Sequence, residues 1–222
     1  MQDLSQLNQF YLGDTVAGEN LFDIWERGAG KGDSVTPSTY SAEYRQWMYQ
    51  VLVELLADDP GGLVSIGSGN AVIESQLTRA GHRVLAADAL QEAVDLARGK
   101  GVEAVRADVR TWSPPPENWT VVYADGLLGH LYEPEQGLLP ILNHVRTWLE
   151  PTEGTIVISN DHTQSGSGVE PAPAVPGFHW LSEEFLRKQT AAAGFHEVSC
   201  VLFTYQRPLS GPRTRVVLTG RA

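Results

Sequence analysis

Residues 63–71, Leu63-Val64-Ser65-Ile66-Gly67-Ser68-Gly69-Asn70-Ala71, pass from a short apolar run through a bare Gly-Ser-Gly bend towards a helix. The apolar run follows Asp59-Pro60-Gly61-Gly62, a turn composition, and reads as a buried strand. Glycines in the bend let backbone N–H groups approach a ligand with no side chain in the way. A helix through about Arg79 completes the unit. The same alternation continues downstream. Val84–Ala87 is a second strand, Gln91–Lys100 a helix, Val102–Ala107 a third strand and, beyond Pro114-Pro115-Pro116, Thr120–Ala124 a fourth. A helix from Pro134 to Leu149 carries Leu138, Ile141, Leu142, Val145, Trp148 and Leu149 on one face; Pro140 inside it implies a kink or a start near that residue. Thr155–Ile158 is a fifth strand. Alternation of this kind predicts an α/β fold with parallel strands and crossover helices on both faces.

The flanks differ from this core. Upstream, Leu4, Leu7, Phe10 and Tyr11, then Leu21, Phe22 and Trp25, have helical spacing, and Gly28–Asp33 reads as a flexible loop. Tyr44, Trp47, Met48, Val51, Leu52, Leu55 and Leu56 mark a long amphipathic helix that stops before Asp59. Downstream, Ser165–Gly177 is rich in Ser, Gly, Ala and Pro and reads as a mobile loop. Ser182 caps a helix ending at Gly194, and strands near Glu197–Tyr205 and Thr214–Thr219 form a closing hairpin. Without an internal repeat or a second boundary, residues 1–222 are expected to form one domain, with 1–58 as a helical N-terminal cap and first helix and 62–222 as the core.

Two acidic residues give the glycine bend its meaning. Asp88 ends the second strand, 21 residues after Gly67, where a carboxylate accepts hydrogen bonds from ribose hydroxyls; Asp108 ends the third, within reach of an adenine amine. Each has a plainer reading as a turn or helix cap, and the glycines as a tight turn. Their joint placement on three successive strand ends outlines an adenosine site along one edge of the sheet. On these residues the chain resembles the class I S-adenosylmethionine-dependent methyltransferases over roughly residues 40–222. The resemblance implies a Rossmann-like, seven-stranded, mostly parallel sheet with a C-terminal antiparallel hairpin, and S-adenosyl-L-methionine as cofactor. It implies that Gly67, Ser68 and Gly69 face the methionine portion, Asp88 with Ala89 holds the ribose, Asp108 with Val109 binds adenine, and Asp125 lies near the sulfonium. Two positions depart from the family pattern: Ser65 stands where an acidic residue is usual, and Ala71 where the third glycine is usual. A nicotinamide dehydrogenase requires glycine at position 72, which holds Val72. The alternatives kept open are a catalytically silent adenosine-ligand binder and, behind it, an NAD-dependent oxidoreductase.

Methyl transfer needs a base only when the acceptor carries a proton that must leave. His130, in Asp125-Gly126-Leu127-Leu128-Gly129-His130, is the first candidate, and His162 at the end of the fifth strand the second. His179 lies just past the mobile loop, and Tyr11, Tyr40, Tyr44 and Arg45 are candidate pocket residues of the cap. Packing or capping is the plainer role for each. No metal-ligand spacing is evident. The N-terminal helices and the Ser165–Gly177 loop are expected to cover the site, which favours a small-molecule acceptor, with O-methylation slightly ahead of N-methylation.

The 222 residues carry a formal charge of -11, from 16 Lys+Arg against 27 Asp+Glu, which disfavours nucleic acid as a partner; such acidity more often keeps a protein soluble than selects a cationic or amine substrate. The densest basic group, Arg207 to Arg215, is interrupted by prolines and makes no evident patch. The single cysteine, Cys200, lies in an apolar run and reads as an inert buried thiol. The first fourteen residues lack a secretory pattern and no stretch is long enough to span a bilayer, so a cytoplasmic protein away from the membrane is the expectation, with a homodimer left open.

Overall fold

The computed structural model describes residues 4–13, 18–173 and 175–222. Met1–Asp3 and Asp14, of the stretch scanned for a secretory pattern, lie outside the described residues, as does Ala174 of the Ser165–Gly177 segment. The chain begins with α1 (Leu4–Asn8), a π-helical turn (Gln9–Gly13), α2 (Leu21–Glu26), α3 (Pro37–Tyr40) and the long α4 (Ala42–Asp58). Then come β1 (Gly62–Ile66), α5 (Val72–Arg79), β2 (Arg83–Asp88), α6 (Gln91–Gly99), β3 (Glu103–Arg106) and β4 (Trp119–Asp125). They are followed by α7 (Leu128–Leu131), α8 (Leu139–Leu149), β5 (Thr155–Asp161), a ribbon of β6 (Val169–Pro171) and β7 (His179–Leu181), α9 (Glu183–Ala192), β8 (His196–Arg207) and β9 (Gly211–Arg221).

The main sheet has the order β3-β2-β1-β4-β5-β9-β8. β1 to β5 pair in parallel, β9 is antiparallel to β5, and β8 is antiparallel to β9. This is the seven-stranded, mostly parallel arrangement expected from the sequence. Every residue of β1 and β5 is buried, as parallel strands between two helical layers require. Their side chains alternate between the layers: Leu63 packs with Met48 and Leu52 of α4 and Leu77 of α5, whereas Val64 and Ile66 pack with Leu142 and Val145 of α8. A third cluster joins Leu21, Phe22 and Trp25 of α2 to Leu90 and Ala93 at the start of α6, which seats the N-terminal cap over the carboxyl ends of the strands. A Lys100–Glu26 ion pair of 2.5 Å ties the same cap to the end of α6.

Several boundaries have local causes. Asn20 and Asp23 form a reciprocal capping box at α2, and Ser41 and Ser182 accept the N–H groups of Tyr44 and Phe185 at α4 and α9. The helix expected from Pro134 begins instead at Leu139, with Pro140 in its first turn, where a missing N–H costs nothing. The Ser165–Gly177 segment is not the featureless loop its composition suggests. β6 pairs with β7, and the Glu170 carboxylate accepts the N–H groups of Gln164 at 2.8 Å and Ser165 at 3.1 Å, folding the segment back on itself.

Candidate active site

The bend after β1 is held by the β-ladder itself: Gly67 N–H donates to Ala87 O at 2.8 Å. Gly67 has φ +65, and a Cβ there would stand 2.9 Å from Leu127 Cδ1, so a side chain is excluded twice over. Gly69 has φ +53 and faces open space, since a Cβ there meets nothing within 4 Å. Ala71 takes φ 50 as well, in the conformation that the missing third glycine would adopt without strain.

The space beyond Gly69 is a cavity of about 390 Å³ at the carboxyl edge of the sheet. Gly67, Ser68, Gly69, Asp88, Ala89, Asp108, Val109 and Asp125 all line it, and so do His130 and Tyr11. Asp88 accepts Gly69 N–H at 3.0 Å and Leu90 N–H at 2.9 Å, one on each oxygen, and each oxygen retains a lone pair for a further donor. Burial pushes its pKa up to about 6, against the pull of those N–H groups. Asp108 is held differently: Arg110 grips it through Nε at 2.8 Å and Nη2 at 2.5 Å and keeps its carboxyl below the usual range. Ser68 Oγ and Asn70 Nδ2, both at the bend, are buried without a hydrogen-bond partner among the described residues. Orphaned buried polar atoms are rare in folded proteins and mark a place where a ligand or water completes the structure.

Glu74, which the sequence reading missed, is a further acidic residue of this wall. It lies in the first turn of α5, is 4% exposed, lines the cavity and accepts a 2.6 Å hydrogen bond from Ser65 Oγ. Ser65 thus points to a carboxylate that reaches back from the next helix into the region where the acidic residue was absent from β1. Burial raises the pKa of Glu74 to about 7. Strand parity carried the signal: Leu63 and Ser65 share the face turned to α5, and a serine there needs a polar partner.

His130 sits in α7, where its ring packs 4.7 Å from that of Phe178 and its Nε2 shares a 3.1 Å hydrogen bond with Tyr11 OH. Burial, helped by His179, lowers its pKa to about 4, so the imidazole is neutral at physiological pH. Not every candidate reaches the cavity. His162 lies on a separate shallow groove with Leu202 and Pro212, and its Nδ1 is 2.6 Å from Thr163 O. The structure does not bring it to His130: Asp161 lines the cavity, and His162, the next residue along the extended chain, opens onto the separate groove. His179 turns to Gly129 O at 3.3 Å and to Tyr132. Tyr44 is fully buried beneath the site with its hydroxyl 2.6 Å from Ser159 Oγ, and Arg45 binds the carbonyls of Ser38 and Thr39. Cys200 is half-buried on β8 rather than fully buried, and burial raises its thiol to about 11.

A buried arginine, Arg215, lies beside Asp125 on the floor of the cavity. Arg215 is 3% exposed and donates to Asp125 at 2.5 Å, Asp161 at 3.1 Å and Ser159 Oγ at 2.8 Å. Among the described residues no group of three or more His, Cys, Asp or Glu is placed to hold a metal ion, and no helix is long and apolar enough to cross a membrane.

No protein-family model matches the chain. Over 98% of its length it is 38% identical to a tabtoxin biosynthesis enzyme of Pseudomonas amygdali pv. tabaci, 88% of which is covered. Among solved structures it resembles the Burkholderia thailandensis 1,6-didemethyltoxoflavin-N1-methyltransferase with bound 1,6-didemethyltoxoflavin and S-adenosylhomocysteine, with TM-score 0.62, 22% identity, and coverage of 82% of this chain and 80% of that one. It also resembles the magnesium protoporphyrin IX methyltransferase of Synechocystis PCC 6803 with bound S-adenosylmethionine, with TM-score 0.63, 18% identity, and coverage of 99% and 96%. At these identities the likeness to solved structures is one of fold.

Proposed function

The chain belongs to the family of the tabtoxin biosynthesis enzyme and has the Rossmann-like fold of S-adenosylmethionine-dependent methyltransferases, and on that premise we propose that it transfers a methyl group from S-adenosyl-L-methionine to a small biosynthetic molecule. The observation that carries this reading is one cavity shared by the open Gly67–Gly69 bend, its two orphaned polar atoms and Asp88. When bound, the cofactor supplies an electrophilic methyl group on a cationic sulfur. The chain's own residues hold and shield it. Asp88 accepts from the ribose hydroxyls, Asp108 and Val109 flank the adenine, and Glu74 with the bend takes the methionine end, where its carboxylate meets the ammonium. The N-terminal cap, through Tyr11, Phe22 and Trp25, excludes water from the transfer. His130, neutral but weakly basic, is matched to an acceptor hydroxyl that is acidic, and the hydrogen bond its Nε2 shares with Tyr11 OH holds the ring in place.

Calorimetry with S-adenosylhomocysteine and NAD tests the proposal. Binding of the first and not the second, followed by mass-spectrometric detection of a methylated product in a panel of small hydroxyl, carboxylate and amine compounds, is the expected result. Binding of NAD alone, or of neither, overturns it; binding without transfer to any acceptor points to the silent binder.

The buried acids make the pH dependence specific. Protonated Glu74 and Asp88 cannot receive an ammonium or a hydroxyl donor as carboxylates do, so S-adenosylhomocysteine affinity should rise with pH through about 6 to about 7 and level off above. Glu74→Gln should weaken binding by about tenfold or more at pH above that range and erase the upper part of the rise. An unchanged profile in this variant removes Glu74 from the cofactor site.

A further inference from the structure

The hairpin of β8 and β9 gathers three arginines that the sequence separates by prolines. Arg213 pairs across the ladder with Tyr205 and Arg207 with Gly211, so Arg207, Arg213 and Arg215 share one sheet face, and all three line the cavity. Two carboxylates answer them in direct contact. Asp161 meets Arg207, Arg215 at 3.1 Å and, more distantly, Arg213 Nε at 3.7 Å; Asp125 meets Arg215. Asp33 and Glu170 stand farther off, half-exposed and already engaged by backbone N–H groups. One positive charge is therefore left over in contact range.

Arg215 is saturated by its partners, but Arg213 is not. Arg213 is 3% exposed, lies 3.6 Å over the Trp180 ring, donates Nη2 to His162 O at 2.6 Å, and keeps a buried Nε with no hydrogen-bond partner. A guanidinium buried and stacked in this way presents a rigid fork of donors suited to a planar oxyanion. Arg207, nearer the rim, uses Nη2 on Asp161 and Nε on Tyr205 OH.

We propose that Arg213, assisted by Arg207, forms a subsite for an oxyanion group of the acceptor, a carboxylate or a phosphate, so that the substrate is an anion despite the acidity of the protein. This rests on the methyltransferase reading above. A cationic acceptor would face the uncompensated charge of this wall, whereas an anion neutralises it and completes the donors of Arg213.

The test uses the full-length protein saturated with S-adenosylhomocysteine. Acetate, succinate and inorganic phosphate are titrated at constant ionic strength with chloride as the balancing anion, and binding is followed by calorimetry and thermal shift. Saturable stabilisation by a carboxylate or by phosphate, beyond the effect of chloride, is expected, and the stronger of the two arms names the group. Arg213→Gln and Arg207→Gln should each weaken that binding about tenfold or more with S-adenosylhomocysteine affinity changed little, and Arg213→Lys should restore only part of it. Wild type that binds S-adenosylhomocysteine but no oxyanion overturns this inference alone. So does a parallel loss of both affinities in the Arg213 variants, which would assign the arginine to the carboxylate of the cofactor. Wild type that fails to bind S-adenosylhomocysteine overturns the parent reading and this one with it.

Discussion

Asp88→Ala should weaken S-adenosylhomocysteine binding by two orders of magnitude or more and leave the fold in place. Hydrogen bonds to a charged acceptor contribute roughly 1.5–3 kcal/mol each, so the loss of two from a ribose accounts for about a hundredfold or more. The same carboxylate fixes Gly69 N–H and Leu90 N–H, so its removal also loosens the bend that receives the methionine end. Stability should change little, because two effects oppose each other. The buried ionised carboxylate is disfavoured in the folded chain, as its raised pKa indicates, and the alanine relieves that cost. Against this, two N–H groups lose their acceptor, one of them beside a cavity that water can enter. Asp88→Asn should bind almost as poorly, because an amide offers one acceptor oxygen and sets its NH2 against an N–H donor. Calorimetry and a thermal melt on the same samples check both parts. Wild-type affinity in the alanine variant would remove Asp88 from the site.

Arg215→Leu should give the largest loss of stability of any single change at the site, about 3–5 kcal/mol, which is a large fraction of the margin of a typical domain. The guanidinium ties the ends of β4, β5 and β9 through Asp125, Ser159 and Asp161, and beneath it Tyr44 reaches the same Ser159 from α4. Burial works against its charge, but Asp125 and Asp161 outweigh that and hold it protonated, well above the ordinary arginine range. Leucine leaves both carboxylates without this partner in a buried setting, which is where the cost arises; the hydrophobic gain of the new side chain is small beside it. Urea denaturation measures the loss. In Arg215→Leu combined with Asp161→Asn, the two changes should cost less together than their sum, since the second removes a charge that the first has stranded. Strict additivity would mean that the two side chains do not act as a pair.

The strands, the crossover helices and the Gly67–Gly69 bend were legible in the sequence because each depends on neighbours in the chain. Burial on both faces makes β1, β4 and β5 continuous apolar runs, and the positive φ at Gly67 and Gly69 is a local demand that glycine meets. Parallel strands joined by crossovers also put Asp88, at the end of β2, and Asp108, two positions past β3, at one edge, so their convergence followed from topology alone. A helix start was legible where a side chain caps it, as at Ser182. The start of α8 was ambiguous, since Pro140 permits either a kink or a first turn and only packing selects between them.

What the sequence alone determined is therefore the architecture and the order of the strand-end residues, because the period of the side chains and the turn residues act over a few positions. Tertiary structure decided the rest: Glu74 reaching Ser65 from another element, Tyr11 closing on His130 across 119 positions, and Arg213 and Arg215 facing Asp161 although the overall charge is negative. These contacts depend on which faces of distant elements meet, and composition averages over the charges that folding sorts into opposite walls of one cavity.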